Sequence, residues 1–138
     1  MIIAEMCAYY KSQGKSLLQE LENLYQRFGF YKTDLQSTVY EGEQGMGTMS
    51  AIIDKIRINP PKVIEGNEVA FTDFSLGVDG LPVSNVLRFK NKDVRLIIRP
   101  SGTEPKLKIY YQVKGETEQQ AQVGLQKMKD WLNEFLLC

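Results

Sequence analysis

The sequence predicts an α+β fold: an antiparallel sheet covered on one face by two helices, with a helical segment ahead of it. Three observations carry this. Between residues 62 and 113, β-rich runs follow one another with short turn signals and no helix between them, which favours antiparallel pairing over βαβ crossovers. One apolar stripe at helical spacing precedes those runs (Met46, Met49, Ile52, Ile53, Ile56) and another follows them (Ala121, Leu125, Met128, Leu132, Phe135). Ahead of both, Leu17, Leu18, Leu21, Leu24, Tyr25 and Phe28 make a third stripe.

In chain order, residues 1–10 are apolar and rich in helix formers and read as the end of a buried helix, which Gln13, Gly14 and Lys15 break. Ser16 opens a second helix, with Gln19 three residues on as its capping box and Gly29 as its C-cap. Residues 30–40 carry a connection and one strand. Residues 41–48 hold Gly42, Gly45 and Gly47, but no lysine of a phosphate loop and no flanking βαβ pattern, so they read as a loop-to-helix junction. The helix that follows buries Met46 and Met49 as core, and Asn59 with Pro60 and Pro61 ends it.

Residues 62–64 and 68–73 read as strands joined by a turn at Gly66 and Asn67. Residues 75–83 form a loop, 85–89 a strand, and 90–93 a polar turn into the strand 94–98. Lys90, Lys92 and Arg95 form a small basic group there, read as a solvated turn, although Arg95 shares a strand face with Arg99. Leu107, Ile109, Tyr111 and Val113 alternate with polar residues as a half-buried strand does. Thr117 caps the last helix with Gln120 completing its box, and Trp131 and Leu136 widen its stripe. From Phe30 onward the order is β-α-β-β-β-β-β-α.

Size and composition narrow the function. At 138 residues the chain is one domain with room for a core and a short appendage. Seventeen basic residues balance 17 acidic ones, which argues against a general nucleic-acid surface. No apolar run reaches membrane-span length, and residues 1–10 lack the basic flank of a signal peptide. Cys7 and Cys138 lie near opposite ends; a disulfide between them is open, and reduced thiols of a cytoplasmic protein fit better. With no histidine, Ser-His-Asp and Cys-His triads and His-ligated metals are excluded. The carboxylates are scattered, with only Glu41 and Glu43 close together.

One stretch concentrates binding chemistry. Residues 99–106, RPSGTEPK, place Arg99, Ser101, Gly102 and Thr103 within five positions, with Lys106 and Lys108 directly after. Arg99 offers a planar fork for two oxygens, Ser101 and Thr103 add hydroxyls, and Gly102 allows backbone N–H groups to approach an anion. Pro100 and Pro105 restrict the loop and limit the entropy lost on binding. An ordinary hairpin turn is the competing reading of the same residues. Lys108 falls on the strand face opposite Leu107 and Ile109 and need not be core.

Residues 99–111, RPSGTEPKLKIYY, resemble the C-terminal phosphate-binding motif of the phosphoglucomutase/phosphomannomutase family, the α-D-phosphohexomutases. Residues 81–89, LPVSNVLRF, resemble the same domain, and the likeness runs along the whole chain, weakest over residues 39–78. The resemblance implies a TBP-like C-terminal domain over 30–138 and, in residues 1–29, the helical tail of the preceding third domain. It implies that Arg99, Ser101, Gly102, Thr103 and Lys108 hold the substrate phosphate that is not being transferred. The complete enzymes of the family interconvert hexose 1-phosphate and 6-phosphate, with a phosphoserine, Mg²⁺ and a hexose 1,6-bisphosphate. Their serine loop, aspartate-rich metal loop and sugar-specificity loop have no counterpart in these residues. The chain is therefore expected to be a C-terminal piece, inactive alone and without a catalytic residue or metal ligand of its own. Its expected partners are a hexose phosphate and the other three domains, with no nucleic acid and no membrane, in the cytoplasm. A glucose phosphate is the substrate that the likeness of RPSGTEPK to bacterial phosphoglucomutases implies. The alternative is a non-enzymatic α+β module binding a phosphopeptide or RNA through the Arg99 loop and an exposed aromatic such as Tyr110.

Overall fold

The structure is a computed structural model that describes residues 2–78 and 80–137. Cys138 lies outside the described residues, and with it any pairing to Cys7, which is exposed. The helices are α1 (Ile2–Ser12), α2 (Leu17–Phe28), α3 (Gly45–Ile58) and α4 (Glu118–Leu137). The strands are β1 (Phe30–Val39), β2 (Val63–Ile64), β3 (Asn67–Glu68), β4 (Ala70–Asp73), β5 (Leu87–Lys90), β6 (Val94–Pro100) and β7 (Lys106–Gly115), with a 3₁₀ turn over Phe74–Leu76. Five strands form an antiparallel sheet in the order β1-β7-β6-β5-β4, and β2 pairs β3 in a separate ribbon.

Alternation divides the sheet. Leu87 and Phe89, Leu96 and Ile98, and Leu107, Ile109, Tyr111 and Val113 are buried on the face that α3 and α4 cover. Met49, Ile53 and Ile56 of α3 and Leu125, Met128 and Leu132 of α4 complete that core. The α+β fold class read from the sequence is the one observed.

Close approach sets how α4 sits. A Cβ on Gly124 would stand 2.9 Å from Val113 Cγ1 of β7, so this turn of the helix comes in where a side chain would hold it off. Over the edge strand β1 the contacts are polar: Lys129 Nζ lies 2.7 Å from Asp34 Oδ2, and Tyr111 Oη donates to Gln36 Oε1 at 2.9 Å. Burial, more than the nearby Asp34 charge, pushes the Tyr111 phenol well above its ordinary range. α3 is tied to β4 by Arg57, whose Nε donates to the buried Asp73 at 2.7 Å while its Nη2 donates to Asn85.

Several expectations are corrected. In this chain α1 is exposed, with Ile2 and Ile3 81% and 71% exposed and no buried residue among its described positions. The α2 stripe is likewise largely uncovered, with Leu18 78% exposed, although the Ser16–Gln19 capping box and the Gly29 C-cap form as read. Tyr25 stacks on Phe30 at 5.2 Å and links α2 to β1. Met46 is exposed and only Met49 of the pair is core.

The hairpin turn falls on Glu65 and Gly66, one residue earlier than expected. Both have positive φ, 47° and 73°, as a two-residue primed turn requires. The expected strand over 68–73 divides at Val69, whose N–H donates to the Lys62 carbonyl before the chain crosses into the main sheet at Ala70. Six strands rather than five therefore separate α3 from α4. At the last helix Thr117 caps Gln120 as expected, but the Gln120 side chain accepts from the N–H of Glu116 rather than from that of Thr117.

Candidate anion-binding site

The 99–108 stretch is a hairpin whose two strands run further into it than the sequence suggested. β6 continues through Pro100 and β7 starts at Lys106, so Arg99 and Lys108 are strand residues, directly opposite in register. Both point to the face that α3 and α4 leave open, since their neighbours Ile98, Pro100, Leu107 and Ile109 are buried on the other. Lys106 is two residues from Lys108 and shares its face.

Between the strands the loop is held shut. Ser101 N–H donates to the Lys106 carbonyl at 2.8 Å, and Lys106 N–H to the Glu104 carbonyl at 2.7 Å. The loop is also pinned from outside: Tyr40 N–H donates to the Pro105 carbonyl at 2.8 Å. A Cβ on Gly45 would overlap the Tyr40 carbonyl and come within 3.1 Å of Pro105 Cβ, so α3 begins hard against this junction. The glycine cluster of residues 41–48 is thus a loop-to-helix junction, with Gly45 needed for close approach rather than for phosphate binding.

The loop and the two strand ends enclose a recess of about 320 Å³. Arg99, Ser101, Gly102, Thr103, Lys106 and Lys108 all line it, so every residue singled out from the sequence is brought together. Ser101 Oγ accepts from the N–H groups of Thr103 and Glu104 at 3.4 and 3.3 Å, long bonds that an incoming anion would replace readily. Among the described residues, Arg99, Lys106 and Lys108 have no ion-pair partner; Glu104 is the one carboxylate on the rim. An open recess with three unpaired cations, two hydroxyls and backbone donors is suited to an anion with several oxygens.

The charge on this face extends beyond the recess. Arg88 and Lys90 of β5, Arg95 and Arg99 of β6, and Lys106, Lys108 and Lys114 of β7 all alternate onto the uncovered side. No carboxylate alternates there on β1, β5, β6 or β7, since Asp34 lies on the helix side. A net charge of zero conceals this segregation. Period-2 reading of the strands would have found it, had the basic residues of all three strands been aligned.

The comparisons decide the family. The family model for the phosphoglucomutase/phosphomannomutase C-terminal domain matches residues 38–126. The chain belongs to that family. Phosphoglucomutase of Staphylococcus aureus (strain USA300) is 37% identical over 125 residues, covering 82% of this chain and 23% of that protein. Phosphoglucomutase of Staphylococcus haemolyticus (strain JCSC1435) is 35% identical over 121 residues, covering 79% and 22%. The chain therefore spans about 23% of the length of the curated relatives it matches. Among solved structures, the open form of the Paramecium phosphoglucomutase pp63/parafusin aligns with a TM-score of 0.67 and 18% identity, over 95% of this chain and 25% of that one. At that identity the likeness is one of fold. This phosphohexomutase C-terminal domain carries the 99–108 recess inside the matched region, and no helix among its described residues is long and apolar enough to cross a membrane.

Proposed function

We propose that the chain is the phosphate-gripping domain of a phosphohexomutase that interconverts hexose 1-phosphate and 6-phosphate. The observation that carries this reading is the register of Arg99 with Lys108 beside the Ser101-Gly102-Thr103 loop, in a member of this family. Arg99 takes two phosphate oxygens through its planar fork, and Lys108 with Lys106 neutralises the dianion. Ser101, Thr103 and the Gly102 N–H complete its coordination. On this reading the recess only holds, and the phosphate it holds is the one that is not transferred. Fixing it sets the position of the reacting hydroxyl at the other end of the sugar, and positioning is a large part of phosphoryl-transfer catalysis.

The serine, the Mg²⁺ ligands and the sugar-selecting residues belong, on this reading, to the other three domains of a longer enzyme, and the chain alone is inactive. Among the described residues no three His, Cys, Asp or Glu side chains come together, so these residues do not fit a magnesium site. Hexose 1,6-bisphosphate would meet this chain only through one of its phosphates. Residues 1–29, with their uncovered apolar faces, would be third-domain material and 30–138 the C-terminal domain. The relatives' names favour glucose phosphate as substrate, and a cytoplasmic setting fits that metabolism.

The cation-only sheet face with Tyr110 near its centre keeps one second reading in view, a module that binds RNA. Calorimetric titration of the chain with glucose 6-phosphate and with a short single-stranded RNA separates the two. Saturable binding of the sugar phosphate and none of the RNA is expected. The reverse pattern would replace the mutase reading with the RNA one.

A further inference from the structure

A second recess opens on the uncovered face of the sheet. Arg88, Arg95 and Ile97 form its floor, and Phe74, Leu81, Pro82 and Val86 form its wall. It measures about 530 Å³ and shares no lining residue with the phosphate recess. That size falls within the roughly 300–1,000 Å³ of small-molecule pockets.

Its polar groups are unusual. The Arg88 guanidinium lies 5.0 Å from the centre of the Phe74 ring and donates through Nη2 to Thr72 Oγ1 at 3.3 Å. Its Nε is buried with no hydrogen-bond partner among the described residues. A buried N–H left unpaired is costly, so Arg88 is held in this place against a penalty. Arg95 has no ion pair among the described residues and stands directly opposite Lys90, a like charge that a sheet does not favour. No described carboxylate lines the recess. The cations share one concavity with five apolar side chains, whereas Pro100 is the one apolar side chain that lines the 99–108 recess among the described residues.

We propose that this recess is a second anion site, for a small molecule with a carboxylate or phosphate head and an apolar body about the size of an aromatic ring. Arg88 and Arg95 take the head through the ends of their guanidinium groups. Phe74, Leu81, Pro82, Val86 and Ile97 pack the body. A hydroxyl-rich sugar is disfavoured here, since those walls would leave its hydroxyls unpaired.

The test is an amide-resolved NMR titration of the 138-residue chain with 3-phenylpropionate and, separately, with inorganic phosphate. The aromatic carboxylate is expected to move Phe74, Ile97 and the Arg88 Nε–H. Phosphate is expected to move residues 101–104 and leave Phe74 and Ile97 in place. R88Q and R95Q should each weaken 3-phenylpropionate binding by about tenfold or more, and R99A should leave it unchanged. R95Q guards against misfolding of R88Q, because the Arg95 side chain makes no ion pair among the described residues. Shifts confined to residues 99–108, no shift at Phe74 and Ile97 at millimolar probe, or unchanged binding in both variants would each overturn the proposal. Each of those outcomes leaves the phosphate reading of the 99–108 recess standing on its own test.

Discussion

Arg99 and Lys108 stand directly opposite each other across β6 and β7, two cations in register on the face of the sheet that α3 and α4 leave open. Like charges so placed weaken a strand pair, and among the described residues no carboxylate offsets them through an ion pair. An arrangement unfavourable for folding is favourable for holding a dianion. R99A should therefore weaken inorganic phosphate binding about ten- to a hundredfold, the worth of one charge-assisted hydrogen bond of about 1.5–3 kcal/mol. Its thermal midpoint should be unchanged or slightly raised. Calorimetry and a melt of the same variant check both halves.

Core and site separate by stability. Leu132 is 1% exposed beneath α4, so Leu132→Ala should destabilise by about 2–5 kcal/mol. Ser101→Ala removes only two long loop hydrogen bonds and should cost little stability while lowering phosphate affinity. Denaturant melts that reversed this order would exchange the two assignments.

The Arg57–Asp73 pair makes stability depend on acid. Burial alone would push the Asp73 carboxyl up, but hydrogen bonds from Ser75 and then Arg57 outweigh it, and its pKa ends below the ordinary value. The folded state thus favours the carboxylate. Its contribution is fully present above the unfolded value of about 3.9 and is lost as pH falls through the lower folded value. D73N should be less stable than the parent at neutral pH by about 1–3 kcal/mol, and the gap should narrow in strong acid. Urea melts across that range measure it.

Gly45 transmits packing to the loop. A Cβ there meets the Tyr40 carbonyl, a backbone atom that cannot swing aside. Gly45→Ala should destabilise by about 1–3 kcal/mol and shift the amide signals of residues 101–105 through Tyr40 and Pro105. Unchanged loop signals would mean that α3 does not hold the recess in place.

Much of the fold was legible because periodicity and caps are local. The alternation of Leu107, Ile109, Tyr111 and Val113, the stripe from Ala121 to Leu132 and the Ser16–Gln19 box depend on residues a few positions apart. The division at Val69 was not legible, because it depends on where two sheets part in space. The positive φ of Glu65 was missed since nothing in a glutamate announces it. The apolar stripe of α2 correctly marked a helix, but amphipathicity does not say whether a partner is present to cover it. For the recess, proximity along the chain marks the loop donors and the two lysines, while the register of Arg99 with Lys108 needs the strand pairing, and the Arg88–Arg95 recess needs the loop before β5 to fold back over the sheet.

Following the amides of the 138-residue chain during titration with glucose 6-phosphate shows directly whether residues 99–108 grip a substrate phosphate. Weak, saturable shifts are expected at Arg99, Ser101, Gly102, Thr103 and Lys108, absent in R99A and reproduced in pattern by inorganic phosphate. Saturable shifts elsewhere with these five residues silent, or shifts that survive unchanged in R99A, would contradict that grip.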